Sequence, residues 1–212
     1  MSVAEKIAKT STQIRAVHKT IKVKKQSQAT ADLIAKEFGM SAVASRVLAA
    51  RGYEVGPRLK HYLSPTLKEG MPEPGGLKGL KAACELIKSV TESGGGIAIC
   101  CDFDVDGLSG GSQALHFLRA VGVNSKVFVP DRFEDGYGLN DKMVQQIADE
   151  GFKLLLTIDY GTTNTKELTL AKKLGLKTIV LDHHHVGGSP PPCDAFINPN
   201  QKGCGFADKF LC

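Results

Sequence analysis

The residues with the clearest capacity for chemistry lie in one stretch, GIAICCDFDVDGLS, at positions 96–109. Asp102, Asp104 and Asp106 alternate with Phe103 and Val105 and are followed by Gly107. Three carboxylates within five residues repel one another and cannot be desolvated together without a counter-charge. Along an extended segment, this alternation points all three the same way. A hard divalent cation is the simplest neutraliser, because oxygen-rich sites suit magnesium and manganese. An acidic surface turn would need no ion. A calcium loop would need a longer run of spaced oxygen ligands closing on a glutamate, whereas residues 108–118 return to an apolar helical pattern. The stretch therefore reads as a metal site at the end of a strand.

Two more clusters share that setting. The apolar run 153–158 (KLLLTI) leads to Asp159, shortly before Gly161. The run 177–181 leads to Asp182, His183, His184 and His185. A lone Asp after a strand is ordinarily a helix cap, and a lone His a surface residue. Three such clusters at successive strand ends are hard to explain as separate accidents. In a parallel sheet these ends lie on one edge, where open α/β folds bind their ligands. Carboxylates with imidazoles suit a manganese-like ion, and so many ligands suit two ions sharing one carboxylate. Paired ions at roughly 3.5–4 Å serve in-line phosphoryl displacement. The expected chemistry is phosphoester hydrolysis.

The elements that must hold these residues follow from periodicity. Strands are expected at 97–101, 126–130, 153–158, 177–181 and 196–197, with helices at 108–121, 141–150 and 165–174 between them. Short connections and nearly continuous apolar strands mean a parallel sheet covered by helices. The fold class is α/β, a doubly wound, mostly parallel sheet with helices on both faces, preceded by a small helical appendage. Residues 1–28 read as a basic arm, 29–93 as the helical appendage and 94–212 as the catalytic domain. Within the appendage, 30–52 reads as two short helices parted by Gly39, 71–76 as a Pro/Gly-rich loop and 77–90 as a helix. Neither a dinucleotide-binding glycine fingerprint nor a G-K-[ST] phosphate loop follows the first strand.

Composition narrows the setting. The net charge of +5 is concentrated in residues 1–28, where seven Lys/Arg face Glu5 alone. Such an arm could meet nucleic-acid phosphates, stay solvated, or act as a mitochondrial targeting segment. No apolar run approaches the roughly 20 residues needed to cross a bilayer. The six cysteines form no C-x-x-C pair, as in reduced cytosolic proteins, so the expected location is cytoplasmic with no membrane partner. A zinc site from Cys193, Cys204 and Cys212 is the weaker alternative use of the thiols.

The motifs DFDVDG (102–107), TIDYG (157–161) and DHH (182–184) resemble the DHH phosphoesterase superfamily in order and spacing. RFEDGYGL (132–139) and INPN (197–200) look like its RecJ-type branch of single-strand-specific exonucleases. The resemblance implies 5′ to 3′ hydrolysis of single-stranded DNA with two divalent ions, manganese or magnesium, in recombination and repair. It implies that Asp104 and Asp106 each hold one ion, that Asp159 bridges them and that His183 ligates one. His184 would face the scissile phosphate or bridging water, and Asp102 would be an outer ligand or orienter. Asp182 would orient the histidines, and Arg132 would grip a phosphate with its planar fork. A single-strand-binding protein or a helicase is the expected protein partner.

The pattern departs from the family at Tyr160, where Asn is usual, and at the additional His185. The family continues into a further aspartate ligand and further domains, so the chain is expected to be an N-terminal fragment with manganese binding but weak or no nuclease activity. Two other functions compete: hydrolysis of short oligonucleotides or cyclic dinucleotides, and a catalytically silent nuclease-like scaffold. RFEDGYGL and the helical first third argue against the former. The full set of motif carboxylates and histidines argues against the latter.

Overall fold

The computed structural model describes residues 27–66, 71–134 and 136–206. The basic arm therefore lies outside the described residues up to position 26, as does Cys212. The chain divides into two compact units, residues 1–71 and 72–212.

Among the described residues of the first unit, three helices surround a small core. They are α1 (Gln28–Phe38), α2 (Ala42–Ala50) and α3 (Pro57–Leu63). Ser27 and Ser41 accept backbone N–H groups from Thr30 and Ala44, which satisfies donors left over at the helix starts. Gly39 ends α1 in the left-handed conformation that glycine adopts without strain. Ile34, Leu48 and Leu59 form the buried centre. Pro57 opens α3 at a position where its missing N–H costs nothing.

The second unit starts with a short 3₁₀ turn (Pro74–Gly76) and α4 (Leu80–Glu92). Then follow β1 (Ile97–Cys101), α5 (Val105–Ala120), β2 (Ser125–Phe128), α6 (Asp141–Asp149), β3 (Leu154–Ile158), α7 (Thr165–Lys173), β4 (Lys177–Leu181) and β5 (Ala195–Ile197). The five strands are all parallel, in the order β2-β1-β3-β4-β5. Every residue of β1 and β3 is buried, as expected for central strands covered on both faces. On one face, Ala83 and Val90 of α4 and Leu118 of α5 pack on Ile97, Ile99, Leu154 and Leu156. On the other, Met143, Val144 and Ile147 of α6 and Leu168 and Ala171 of α7 cover Ala98, Leu155 and Val180. The strand order reverses between β1 and β3, the kind of switch point at whose carboxyl edge open α/β sheets bind their ligands.

Two expectations are corrected. The helix expected within the appendage, α4, falls in the second compact unit, where its apolar face covers the sheet. The three carboxylates of DFDVDG do not share one extended segment. Helix α5 starts at Val105, with Asp104 as its N-cap and Asp106 in its first turn. Asp102 directly follows β1 and Asp104 has extended backbone, whereas Asp106 reaches the site from a helix. The early start is possible because Gly107 lets the first turn press on β1: a Cβ there would lie 2.7 Å from the backbone N and O of Asp102.

Candidate metal centre

Asp102, at the end of β1, is buried, and its Oδ1 accepts the Phe103 N–H at 2.7 Å. Burial holds its carboxyl above the ordinary value despite that hydrogen bond. Asp104 accepts the Gly107 N–H at 3.2 Å. A hydrogen bond shared with Asp106 and then the Gly107 amide hold its carboxyl below the ordinary value. Asp159 follows β3 and is buried, with φ at +67°. Aspartate is among the few residues beside glycine that adopt this left-handed conformation. Burial first, and then the charges of Asp106 and Asp104, push the Asp159 carboxyl up.

Beyond β4, Asp182 works as a buried hub. Its Oδ1 accepts the backbone N–H groups of His183 and His184 at 2.7 and 3.1 Å and contacts His184 Nδ1 at 2.7 Å. Its Oδ2 accepts the Thr162 N–H at 2.9 Å. Burial opposes its charge, but these hydrogen bonds outweigh it and hold the group ionised. Burial likewise opposes a charged His184, yet the Asp182 contact holds that imidazole above its ordinary value. A carboxylate behind a histidine fixes the ring's orientation and tautomer. His183 points elsewhere: its Nε2 lies 2.9 Å from Asp159 Oδ1 and 3.7 Å from Asp106 Oδ2.

Two groups of possible ligands result, Asp102 with Asp104 and Asp159, and Asp159 with His183 and His184. Within each group the ligand atoms lie within 4.8 Å of one another, and Asp159 belongs to both. Asp106 adjoins the second group through His183. Three strand ends and one helix start thus converge, and the donor set of carboxylates and imidazoles fits manganese-like ions. Among the described residues, no cysteine joins such a group. A cavity of about 300 Å³ opens beside Asp106, Asp159 and His183, with Ser109, Gln113 and Pro199 in its lining.

Arg132 lies in the loop between β2 and α6. Its guanidinium lies over the Phe103 ring, 5.5 Å from the centroid. The loop carrying it is built around Asp131, which accepts the N–H groups of Phe133 and Glu134. Tyr137 of the same loop meets Phe103 edge to face at 6.3 Å and His184 at 6.5 Å. Burial, and then the nearby carboxylates, push the Tyr137 hydroxyl up to about 12.

Sequence reasoning assigned no role to Phe103 or Tyr137, nor to the asparagines of INPN. Asn198 is fully buried and donates to Thr162 Oγ1 and to the His184 carbonyl, while Asn200 donates to the His183 carbonyl. They hold the DHH turn through its backbone. The available signal was a pair of asparagines directly after a strand. Tyr160 is 1% exposed and packs in the core beside Cys100. The residue there is a packing element.

A parallel sheet with acidic and imidazole side chains gathered at its carboxyl edge defines an α/β protein with a candidate metal site. Residues 96–211 match the DHH family, N-terminal domain, and the chain belongs to that family. It is 32% identical over 178 residues to the single-stranded-DNA-specific exonuclease RecJ of Bacillus subtilis, covering 84% of this chain and 22% of that relative. It is 34% identical to RecJ of Escherichia coli, over 86% of this chain and 30% of the relative. A crystal structure of exonuclease RecJ bound to manganese superposes with a TM-score of 0.56 at 36% identity, covering 60% of this chain and 32% of the other. RecJ from Thermus thermophilus in complex with Mn²⁺ gives 0.58 at 27% identity, over 86% and 26% of the two chains. The chain thus spans less than a third of the length of these relatives.

Proposed function

We propose that this chain is the metal-binding portion of a single-stranded-DNA exonuclease that cleaves from the 5′ end in recombination and repair. The observation that carries the reading is Asp159, shared by both groups of ligand atoms. Asp104 and Asp106 would each hold one divalent cation, manganese or magnesium, with Asp159 available to both and His183 to one. Asp102 supports the cluster from its buried position. Bound cations of this kind supply an activated water and charge stabilisation for in-line phosphoryl displacement. Asp182 holds His184 toward the reacting phosphate or attacking water, and Arg132 grips a neighbouring phosphate.

The substrate partner is single-stranded DNA, delivered by a helicase or kept open by a single-strand-binding protein. No helix among the described residues is long and apolar enough to cross a membrane, and the proposed setting is the cytoplasm. The test is manganese calorimetry on the chain and on Asp159→Asn, a variant that keeps the left-handed backbone accessible. A loss of affinity of at least tenfold, about 1.4 kcal/mol, is expected. Equal binding by the two proteins would remove Asp159 from the metal site and the proposal with it.

A further inference from the structure

An aromatic wall borders the metal centre, and none of its rings is consumed by the core. Phe103 sits between the carboxylates Asp102 and Asp104 in sequence and is only partly buried. Arg132 lies over it and Tyr137 meets it at an interplanar angle of 84°. Tyr137 in turn stands edge to face with His184 at 82°. Tyr137 remains 59% exposed and Phe133, on the same loop, 94%. Large apolar rings left open beside a charged cleft cost solvation and mark a binding surface.

The loop is held in place while its rings stay open. Leu139 is buried, and Asn164 donates to its carbonyl at 3.0 Å. Gly136 and Gly138 both take positive φ, and a Cβ on Gly138 would press within 3.3 Å of Asn164. Tyr137 is thereby fixed between two residues that only glycine serves without strain.

Resting on the proposed nuclease reading, we propose that Tyr137, braced by Phe103, is the platform on which one nucleobase stacks while its phosphate enters the metal centre. An aromatic face accepts any base, so the contact is sequence-tolerant. A base paired within a duplex is committed to its neighbours and cannot reach the ring without leaving the stack. The wall therefore acts as a specificity element for unpaired strands, with Arg132 placed to hold the adjoining phosphate. Tyr137 is a positioning residue for the substrate.

The test uses fluorescence anisotropy with manganese and a phosphorothioate-linked oligothymidylate, which resists cleavage, beside the same oligonucleotide carrying abasic sites at its 5′ end. The intact strand is expected to bind at least fivefold more tightly than the abasic one. Tyr137→Ala should erase that difference by weakening only the intact strand, and Tyr137→Phe should restore it. Unchanged manganese affinity in each variant verifies that the metal centre has kept its shape. Equal binding of the two oligonucleotides by the unaltered chain overturns the stacking role and leaves the nuclease reading intact. Manganese binding without binding of either oligonucleotide overturns both.

Discussion

The Asp182 carboxylate holds the His184 imidazole at 2.7 Å through one oxygen and the Thr162 amide at 2.9 Å through the other. A single buried group thus ties the turn after β3 to the turn after β4. Asp182→Asn keeps the shape but places an amide donor against backbone donors. It should cost about 1–3 kcal/mol, the usual penalty for unsatisfied buried polar groups. His184→Ala removes a half-exposed ring and leaves three amides on Asp182, so it should stay within about 1 kcal/mol. Urea midpoints decide this, and equal losses would show that Asp182 is no hub.

Gly107→Ala should destabilise the chain by about 1–3 kcal/mol, as over-packing typically does. The added methyl would meet Asp102 backbone atoms at 2.7 Å and push α5 away from β1. Manganese affinity should fall with it, since Asp104 caps that helix. Gly205→Ala is the control, because nothing lies within 4 Å of the added carbon. Similar urea midpoints for the two variants would argue against the close approach.

Asp194 gives a pH test away from the metal centre. Burial pushes its carboxyl up, but the Thr178 amide and the Lys177 ammonium outweigh this and hold it below the ordinary value. A depressed native pKa contributes stability that is present above the unfolded value of about 3.9 and fades as pH falls through the native value. Asp194→Asn should therefore be clearly less stable than the unaltered chain at pH 6, with the gap narrowing toward pH 3. A gap that stays constant over that range would contradict the assignment.

Manganese should also protect the fold. Free ion at a hundredfold excess over its Kd adds about 2.7 kcal/mol to the stability of a protein that binds it only when folded. The thermal midpoint should rise accordingly, fall back on chelation, and respond weakly in Asp159→Asn. A rise of the same size in that variant would place the ion elsewhere.

Much of the sheet was legible because β1 and β3 are buried on both faces and so carry unbroken apolar runs. The convergence of Asp159 and the histidines followed from parallel strands alone. The start of α5 was hidden, since Val105 is 84% exposed and Asp106 and Gly107 carry no apolar signal. The membership of α4 was hidden too, because an amphipathic pattern states that a face is covered and not by what. Phe103 and Tyr137 meet only through the fold, from positions far apart in the chain.

The left-handed backbone at Asp159 narrows what can ever occupy that position. Glycine would fit the chain but offers no oxygen, and most other side chains would be strained there. Asparagine alone combines a tolerated backbone with a donor oxygen of the same reach. If Asp159 is the shared ligand proposed above, retuning which ion the site prefers, by trading charged for neutral oxygens, has one substitution available there, and every other adjustment must be made around it.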